Sequence, residues 1–574
     1  MLLFPSSEWS RLRYVEVFFL FSFFIIASGP RLLSLDAHWS SDEARWLRRS
    51  AKFISAVKKG EFSETAIAHH PGVTTMWVAG FRTFFTQPRV NVENLALSRM
   101  FIGIIIWAGI GLASLLLYQL FGRWIVLASF ACFAYSPLFL AQTRRLHTDA
   151  LATTFLLLTV LLFFNYCQDR QRRHYLIFSG TAYGLTLLSK SYALILLLWV
   201  PLCLCLFREK SGKNFWTYLA EGLCFLNCAL LTVFSLWPFF WTPILGIMAI
   251  SLLGLTFLLL REVKSERCPA WLVAVAFAGL CLVGMPAIQT VWLVFEKVNW
   301  AVTTPHEVEH FFLGKVVNDP GWLFYPFVLM IKSTPLMLPL ALLGCILLWK
   351  QRKRTEETAR HFKIGLALVV GVLLFTICLS ATSKKFPRYL LPAFPMLEIL
   401  AAIGFVEGFK WCYTRLVSRF GTEAIARYKT KLAVFACIGF FFIQVFPVLA
   451  RHPYYGTYYN LCWKVTNIPK IITVGDASGL DIAANYLNKK ADAHKLVVQV
   501  SPLAAEFVKR YFRGRAYRAD RQRGHTPAYE VVYIRDSQIG RVPQTGTLNG
   551  ELEAVITLNG IDHVWIYQIP PPEE

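Results

Sequence analysis

The chain has 574 residues, with 58 Lys plus Arg against 35 Asp plus Glu and a formal net charge of +23. Hydrophobic residues make up 56% and charged residues only 16%, where a soluble domain carries roughly 25%. With a mean hydropathy of +0.48, this composition excludes a disordered chain and an ordinary soluble enzyme, and points to a polytopic membrane protein.

Thirteen apolar runs are each close to the roughly 20 residues a spanning helix needs. They are 14–34, 98–119, 123–141, 147–166, 174–189, 191–207, 217–238, 243–260, 270–293, 325–349, 363–381, 388–408 and 432–450. Lys190 separates the fifth from the sixth, because a lysine in mid-bilayer is costly and a break there avoids it. The first run lacks a small-x-small cleavage site and is expected to stay as a span rather than leave as a signal peptide.

The basic residues orient these runs. With the N-terminus inside, the inner segments hold Arg11, Arg13, Arg170, Arg172, Arg173, Arg208, Lys210, Lys213, Arg261, Lys264, Arg267, a Lys350–Arg354 cluster and a further group from Lys410 to Lys431. The short outer loops hold far fewer, so the N-terminus is expected in the cytoplasm and the C-terminus outside. The same asymmetry accounts for most of the basic excess, and no nucleic-acid partner is expected. The 13 Cys show no CxxC and no metal spacing, so a disulfide framework is not expected.

Two long polar stretches lie outside. The first, 35–97, contains an amphipathic stretch from Asp42 onward, with Ala44, Leu47, Ala51, Ile54 and Val57 on one face, suited to lying on a membrane surface. The second, 451–574, reads as a small α/β domain. Strand-like KLVVQV (495–500), YEVVYI (529–534) and HVWIYQI (563–569) alternate with helix-like GLDIAANYLNKK and SPLAAEFVKRYF. The division expected is therefore a helical core over 1–450 and an extracytoplasmic domain over 451–574.

Several outer-face residues are of catalytic type. Asp42 stands either as a plain N-cap or as a carboxylate at the water–lipid boundary able to accept a proton. Asp149 opens the fourth run just inside apolar sequence, either capping a helix or serving a site. His69 and His70 precede Pro71-Gly72 in a turn, where paired histidines offer metal ligands and a tight turn is the plainer reading. Lys190, Lys384, Lys385 and Arg388 are cations placed outside against the topology bias, as phosphate binding requires. Carboxylates, headgroup-depth cations and a wide apolar wall suit a reaction on a lipid-linked phosphate.

The ordered set SDEARW, HPGVTTMW, RLHTDALATTF, LLSKSYALILLL, SKKFPRYLLPAFP and HPYYGTYYN followed by VGDASGLDIAANYLN resembles the GT-C membrane glycosyltransferases. It is closest to the branch of protein O-mannosyltransferases and lipid A aminoarabinose transferases, and it runs over nearly the whole chain. The resemblance implies a GT-C fold and transfer of a monosaccharide from a polyprenyl-phosphate donor, undecaprenyl or dolichyl, with inversion. The acceptor would be an extracytoplasmic hydroxyl or phosphate on a protein, lipid or glycan. It implies Asp42, Glu43 and Asp149 as catalytic acids. It also implies Lys190, Lys384, Lys385 and Arg388 at the donor phosphate, and His69, His70, Arg145 and His147 in the donor or acceptor pocket. A divalent metal ion would draw on Asp42, His70 and Asp149. Where aminoarabinose transferases carry Lys-Pro-Pro, this chain has His70-Pro71-Gly72. The alternative class is a multispan lipid or sugar transporter or flippase, which would place polar residues near the bilayer midplane and show internal repeats. The unusual charges here sit at the outer edge instead.

Overall fold

The computed structural model describes residues 24–68, 71–208, 215–241, 243–264, 269–284, 303–304, 309–421, 428–521 and 526–570. His69, His70 and the start of the first apolar run lie outside these residues.

Helix α1 covers 24–32. It is followed by α2 (Glu43–Lys59), α3 (Val73–Gly80), α4 (Val92–Phe121), α5 (Arg123–Ala134), α6 (Pro137–Thr143), α7 (Thr148–Gln168) and α8 (His174–Ser189). Among the described residues five helices are long and apolar enough to cross a membrane, and seven if each of two bent pairs is one span. The protein is thus an integral membrane protein, although fewer spans pass this test than the thirteen expected.

The bends have covalent causes. Between α5 and α6 the chain turns by 60° at Ser136-Pro137, where proline removes a helical donor and holds Ser136 extended at ψ 117. The run expected as one span over 325–349 is instead two helices, Phe324–Lys332 and Met337–Gln351, crossing at 101°. Ser333 leaves the first at ψ 155, and Pro335 two residues on cannot continue it. The break at Lys190 is present as expected, with the residue extended at φ −158 and ψ 142 between α8 and a 3₁₀ turn.

Helices pack through small residues where backbones meet. A Cβ on Gly404 would stand 1.9 Å from the Leu340 carbonyl oxygen, so only glycine lets helices Met337–Gln351 and Ala393–Phe420 cross this closely. Helix α2 is amphipathic, but its buried face is offset from the expected one and shares only Leu47 and Ile54 with it. It buries Glu43, Trp46, Leu47, Ser50, Phe53 and Ile54 in the protein core beside α3, not on a membrane surface.

Before the bent pair, β1 (His310–Phe312) and β2 (Lys315–Val317) form a hairpin. The C-terminal region then builds a five-stranded sheet in the order β4-β3-β5-β7-β6. Strands β3 (Val497–Val500), β4 (Arg515–Arg518) and β5 (Tyr529–Tyr533) are parallel, with β7 (Ile561–Gln568) antiparallel to β5 and to β6 (Glu551–Leu558). Strands β3, β5 and β7 match the expected segments. Strands β4 and β6 are additional edge strands whose charged residues mask a strand pattern. The β6–β7 turn is Asn559-Gly560, both at positive φ (55 and 78), the conformation this dipeptide favours in a two-residue hairpin.

The tail does not hang free of the helices. The Leu313 N–H donates to the Ile471 carbonyl at 2.6 Å, and Lys332 Nζ donates to the carbonyls of Gly456 and Tyr458, each at 2.9 Å. One continuous apolar core joins the helices to the sheet.

Candidate active site

Asp42 sits at the N-cap position of α2, yet its side chain makes no cap hydrogen bond. It turns instead toward three cationic or imidazole groups. Arg388 Nη2 donates to Oδ2 at 3.0 Å, His147 Nε2 lies 3.5 Å from the same oxygen, and Arg45 Nη1 lies 3.5 Å from Oδ1. Burial opposes its ionisation, but His147 and Arg388 outweigh burial and hold the carboxyl far below the usual carboxylate range.

Asp149 lies in the first turn of α7, fully buried. The dipole of a helix start favours a negative charge there. Its oxygens also meet specific partners. Lys190 donates to Oδ1, His147 Nδ1 is 2.6 Å from Oδ2, and Arg388 Nε is 3.5 Å from Oδ2. His147 and Arg388 therefore each bridge the two carboxylates. Lys190 comes from the break after α8 and rests 4.2 Å from the Tyr389 ring centroid. Arg388 comes from the 3₁₀ turn Pro387–Leu390. Four separate segments thus converge on one charge cluster.

Glu43 does not face this cluster. It is fully buried and accepts from Arg99 Nε at 2.7 Å, the Ser40 N–H at 2.8 Å and the Leu146 N–H at 2.7 Å. Burial raises its pKa, and Arg99 with the two backbone donors brings it below the ordinary value. Arg99 in turn donates to the carbonyls of Leu35, Ala37 and His38. This pair holds the loop before α2 against α4 and the start of α7, an anchoring arrangement rather than a reacting one. Glu43→Gln is expected to destabilise the fold by about 3–5 kcal/mol, because it leaves the Arg99 charge buried without its partner. Denaturation of the detergent-solubilised protein checks this.

The remaining expected residues divide. Arg145 donates through Nη1 to Asp476 and through Nη2 to His38 Nε2 at 3.2 Å. Burial and the neighbouring Arg145 push the His38 imidazole down to about 4, so it accepts as a neutral ring. Lys385 is buried and donates to Asp319 at 2.6 Å and to the Thr382 carbonyl, tying its loop toward the segment after β2. Lys384 is half-buried in the same loop.

Asp476 was not expected. It belongs to the tail, between Gly475 at φ +91 and Ala477 at φ +65. Burial opposes its charge, and Arg145 foremost, with Arg388, holds it at about 2. Its neighbour Asp481 accepts from the His38 N–H at 3.1 Å and from Tyr454 Oη at 2.6 Å. Positive φ at a non-glycine residue beside a charge contact is the local strain that functional loops carry. Only the VGDASG run, rich in turn residues, signals it in the sequence.

Among the described residues no group of three or more His, Cys, Asp or Glu side chains is arranged to hold a metal ion. Asp42 and Asp149 are already matched with Arg388 and Lys190, a donor set that repels a second cation. These two carboxylates do not fit a metal centre.

Solved structures similar to this chain include ArnT from Cupriavidus metallidurans bound to undecaprenyl phosphate, at 13% identity and a TM-score of 0.44, covering 96% of this chain and 98% of that one. The oligosaccharyltransferase of Archaeoglobus fulgidus in the apo form is similar at 11% identity and a TM-score of 0.48, covering 88% of this chain and 65% of that one. Archaeal AglB from the same organism, in complex with an inhibitory peptide and a dolichol-phosphate, is similar at 11% identity and a TM-score of 0.45, covering 92% and 70%. No curated protein sequence matches the chain. Residues 94–237 match the family described as dolichyl-phosphate-mannose-protein mannosyltransferase. Arg99, His147, Asp149 and Lys190, together with the RLHTDALATTF and LLSKSYALILLL motifs, all lie within this matched segment.

Proposed function

We propose that the protein is a membrane glycosyltransferase of GT-C type. It moves a monosaccharide from a polyprenyl-phosphate donor to an extracytoplasmic acceptor hydroxyl or phosphate, with inversion. The observation that carries this reading is the Asp42–His147–Asp149 row with Arg388 bridging both carboxylates. The family match over 94–237 supports a polyprenyl-phosphate donor. The thirteen-span topology with an outer C-terminal domain belongs to the same proposal.

In the reaction, Asp42 accepts the proton of the acceptor hydroxyl. The acceptor oxygen forms a bond to the anomeric carbon as the carbon–oxygen bond to phosphate breaks. The electron pair leaves with the phosphate, and a single displacement inverts the centre. Arg388 offers the planar fork that matches phosphate, and Lys190 lies close behind it. A phosphate drawn onto Arg388 competes with Asp42 for the guanidinium. Donor binding thereby raises the basicity of Asp42 at the moment a base is needed. Asp149 keeps Lys190 and His147 in place.

The test is a transfer assay on purified protein in lipid, with radiolabelled polyprenyl-phosphate sugars and cell extract. Label moved by wild type supports the reading; no turnover of any donor by folded protein rejects it. Deleting residues 470–574 removes Asp476, Asp481 and the sheet, but leaves the membrane helices. We expect that truncated protein to insert and to lose transfer by about 100-fold, the scale of a misplaced site. Fractionation and the same assay check both halves of that expectation.

A further inference from the structure

The Pro71-Gly72 segment is tightly packed against α2 and α7. Gly72 has φ +58, and a Cβ there would stand 2.3 Å from Trp46 Cη2 and 3.3 Å from Thr148 Cγ2. Glycine is thus the residue that admits the Trp46 ring under this turn. Trp46 is buried, and its ring meets His147 edge-on, with centroids 5.9 Å apart and planes at 80°. The Arg49 guanidinium covers Trp46 at 5.0 Å from the ring centroid. The indole is therefore fixed by the turn and by Arg49, and it confines the imidazole.

His147 has little freedom left. Its Nδ1 faces Asp149 at 2.6 Å and its Nε2 faces Asp42 at 3.5 Å. The same turn reaches the other end of the cluster. The Gly72 N–H donates to the Ser189 carbonyl at 3.2 Å, and Thr74 Oγ1 lies 2.7 Å from Ser189 Oγ. Ser189 precedes Lys190, the partner of Asp149. One turn thus braces both flanks of Asp149.

We infer that Gly72 and Trp46 are positioning residues for the transfer site: they lock the His147 ring between Asp42 and Asp149 and so fix where the base stands. The inference rests on the glycosyltransferase reading above for its kinetic consequence. Its geometric core does not depend on turnover. Aromatic edge contacts and a bridging imidazole set orientation, and about 1 Å of misplacement costs on the order of 100-fold in rate.

The test uses the full-length chain in lipid nanodiscs, with polyprenyl-phosphate mannose as donor probe and membrane extract as acceptor source. Trp46→Leu, Gly72→Ala and His147→Gln are expected to lower kcat by about 10- to 100-fold while donor KM stays within about threefold. Trp46→Phe restores an edge-on ring and is expected to recover most of the loss seen in Trp46→Leu. A wild-type kcat in Trp46→Leu, or a loss confined to donor KM, overturns the inference. If Gly72→Ala does not fold, the two Trp46 variants carry the test.

Nitrogen-15 spectra of histidine-labelled protein supply a reading free of activity. The His147 ring signals, identified by their loss in His147→Gln, are expected to move in Trp46→Leu. Unmoved signals overturn the clamp. A wild type without turnover whose His147 signals do respond to Trp46→Leu rejects the glycosyltransferase reading and leaves the clamp standing.

Discussion

Asp42→Asn is expected to reduce transfer by about 1,000-fold or more, the upper range for removal of a general base. Asparagine keeps the size of the side chain and an oxygen to accept from Arg388 Nη2, now at 3.0 Å from Oδ2. It removes the ability to take a proton. The fold is expected to tolerate the change, because Arg388 keeps Asp149 within 3.5 Å and Asp42 makes no helix cap to lose. Donor KM is expected to hold or to fall, since Arg388 then meets an incoming phosphate with less competition. The pH profile follows with a definite sign. A carboxyl held far below its ordinary range in the free protein stays ionised as pH falls, so Asp42 contributes no acid limb to kcat/KM above about pH 5. Initial rates over a pH series, with kcat and donor KM for both proteins, check these statements. An Asp42→Asn protein with more than a tenth of wild-type kcat would assign the proton elsewhere.

How far the site could be read from sequence depends on whether a residue is marked by its own position or by a distant contact. Asp42, Asp149, Lys190 and Arg388 stand out alone: Asp42 opens an amphipathic stretch, the other three sit at the edges of apolar runs, and the two cations oppose the inside bias. The structure brings these four together with His147. Glu43 follows Asp42 directly, but successive helical residues point about 100° apart. That turn sends Glu43 inward to Arg99 while Asp42 stays at the cluster. Trp46 looked like any residue of an amphipathic helix. Its part depends on a missing Cβ at Gly72, which no periodicity reveals. Asp476 was hidden for the same reason, since its meaning comes from Arg145 far away in sequence. In the fold, the strong apolar runs and β3, β5 and β7 were legible. The sharp break at Pro335 was not, because a 25-residue apolar run over 325–349 outweighed its prolines. Strands β4 and β6 escaped because edge strands carry charge and need no clean alternation.

Arg388→Ala is the second large effect expected, and it differs in kind from the first. Among the described residues, the guanidinium is the only group from a third segment that donates to Asp42 while also approaching Asp149. Its loss leaves two carboxylates linked through His147 alone, and like charges then oppose each other's ionisation. It also removes the fork that would hold the leaving phosphate. Transfer is expected to fall by about 100- to 1,000-fold, the range for loss of one preorganised donor, with donor KM rising by about tenfold or more. Arg388→Lys is expected to recover little. An ammonium cannot place two nitrogens at once where Nη2 and Nε stand, so it serves one carboxylate or the phosphate but not both. The contrast with Asp42→Asn is the informative result: there kcat falls with donor KM held, here both change. Steady-state kinetics on the two variants, with direct binding of polyprenyl phosphate, separates the roles. An unchanged donor KM in Arg388→Ala would remove Arg388 from the phosphate and leave it as a brace between the acids. The phosphate contact would then fall to Lys190, and Lys190→Ala should show the rise in donor KM that Arg388→Ala lacks.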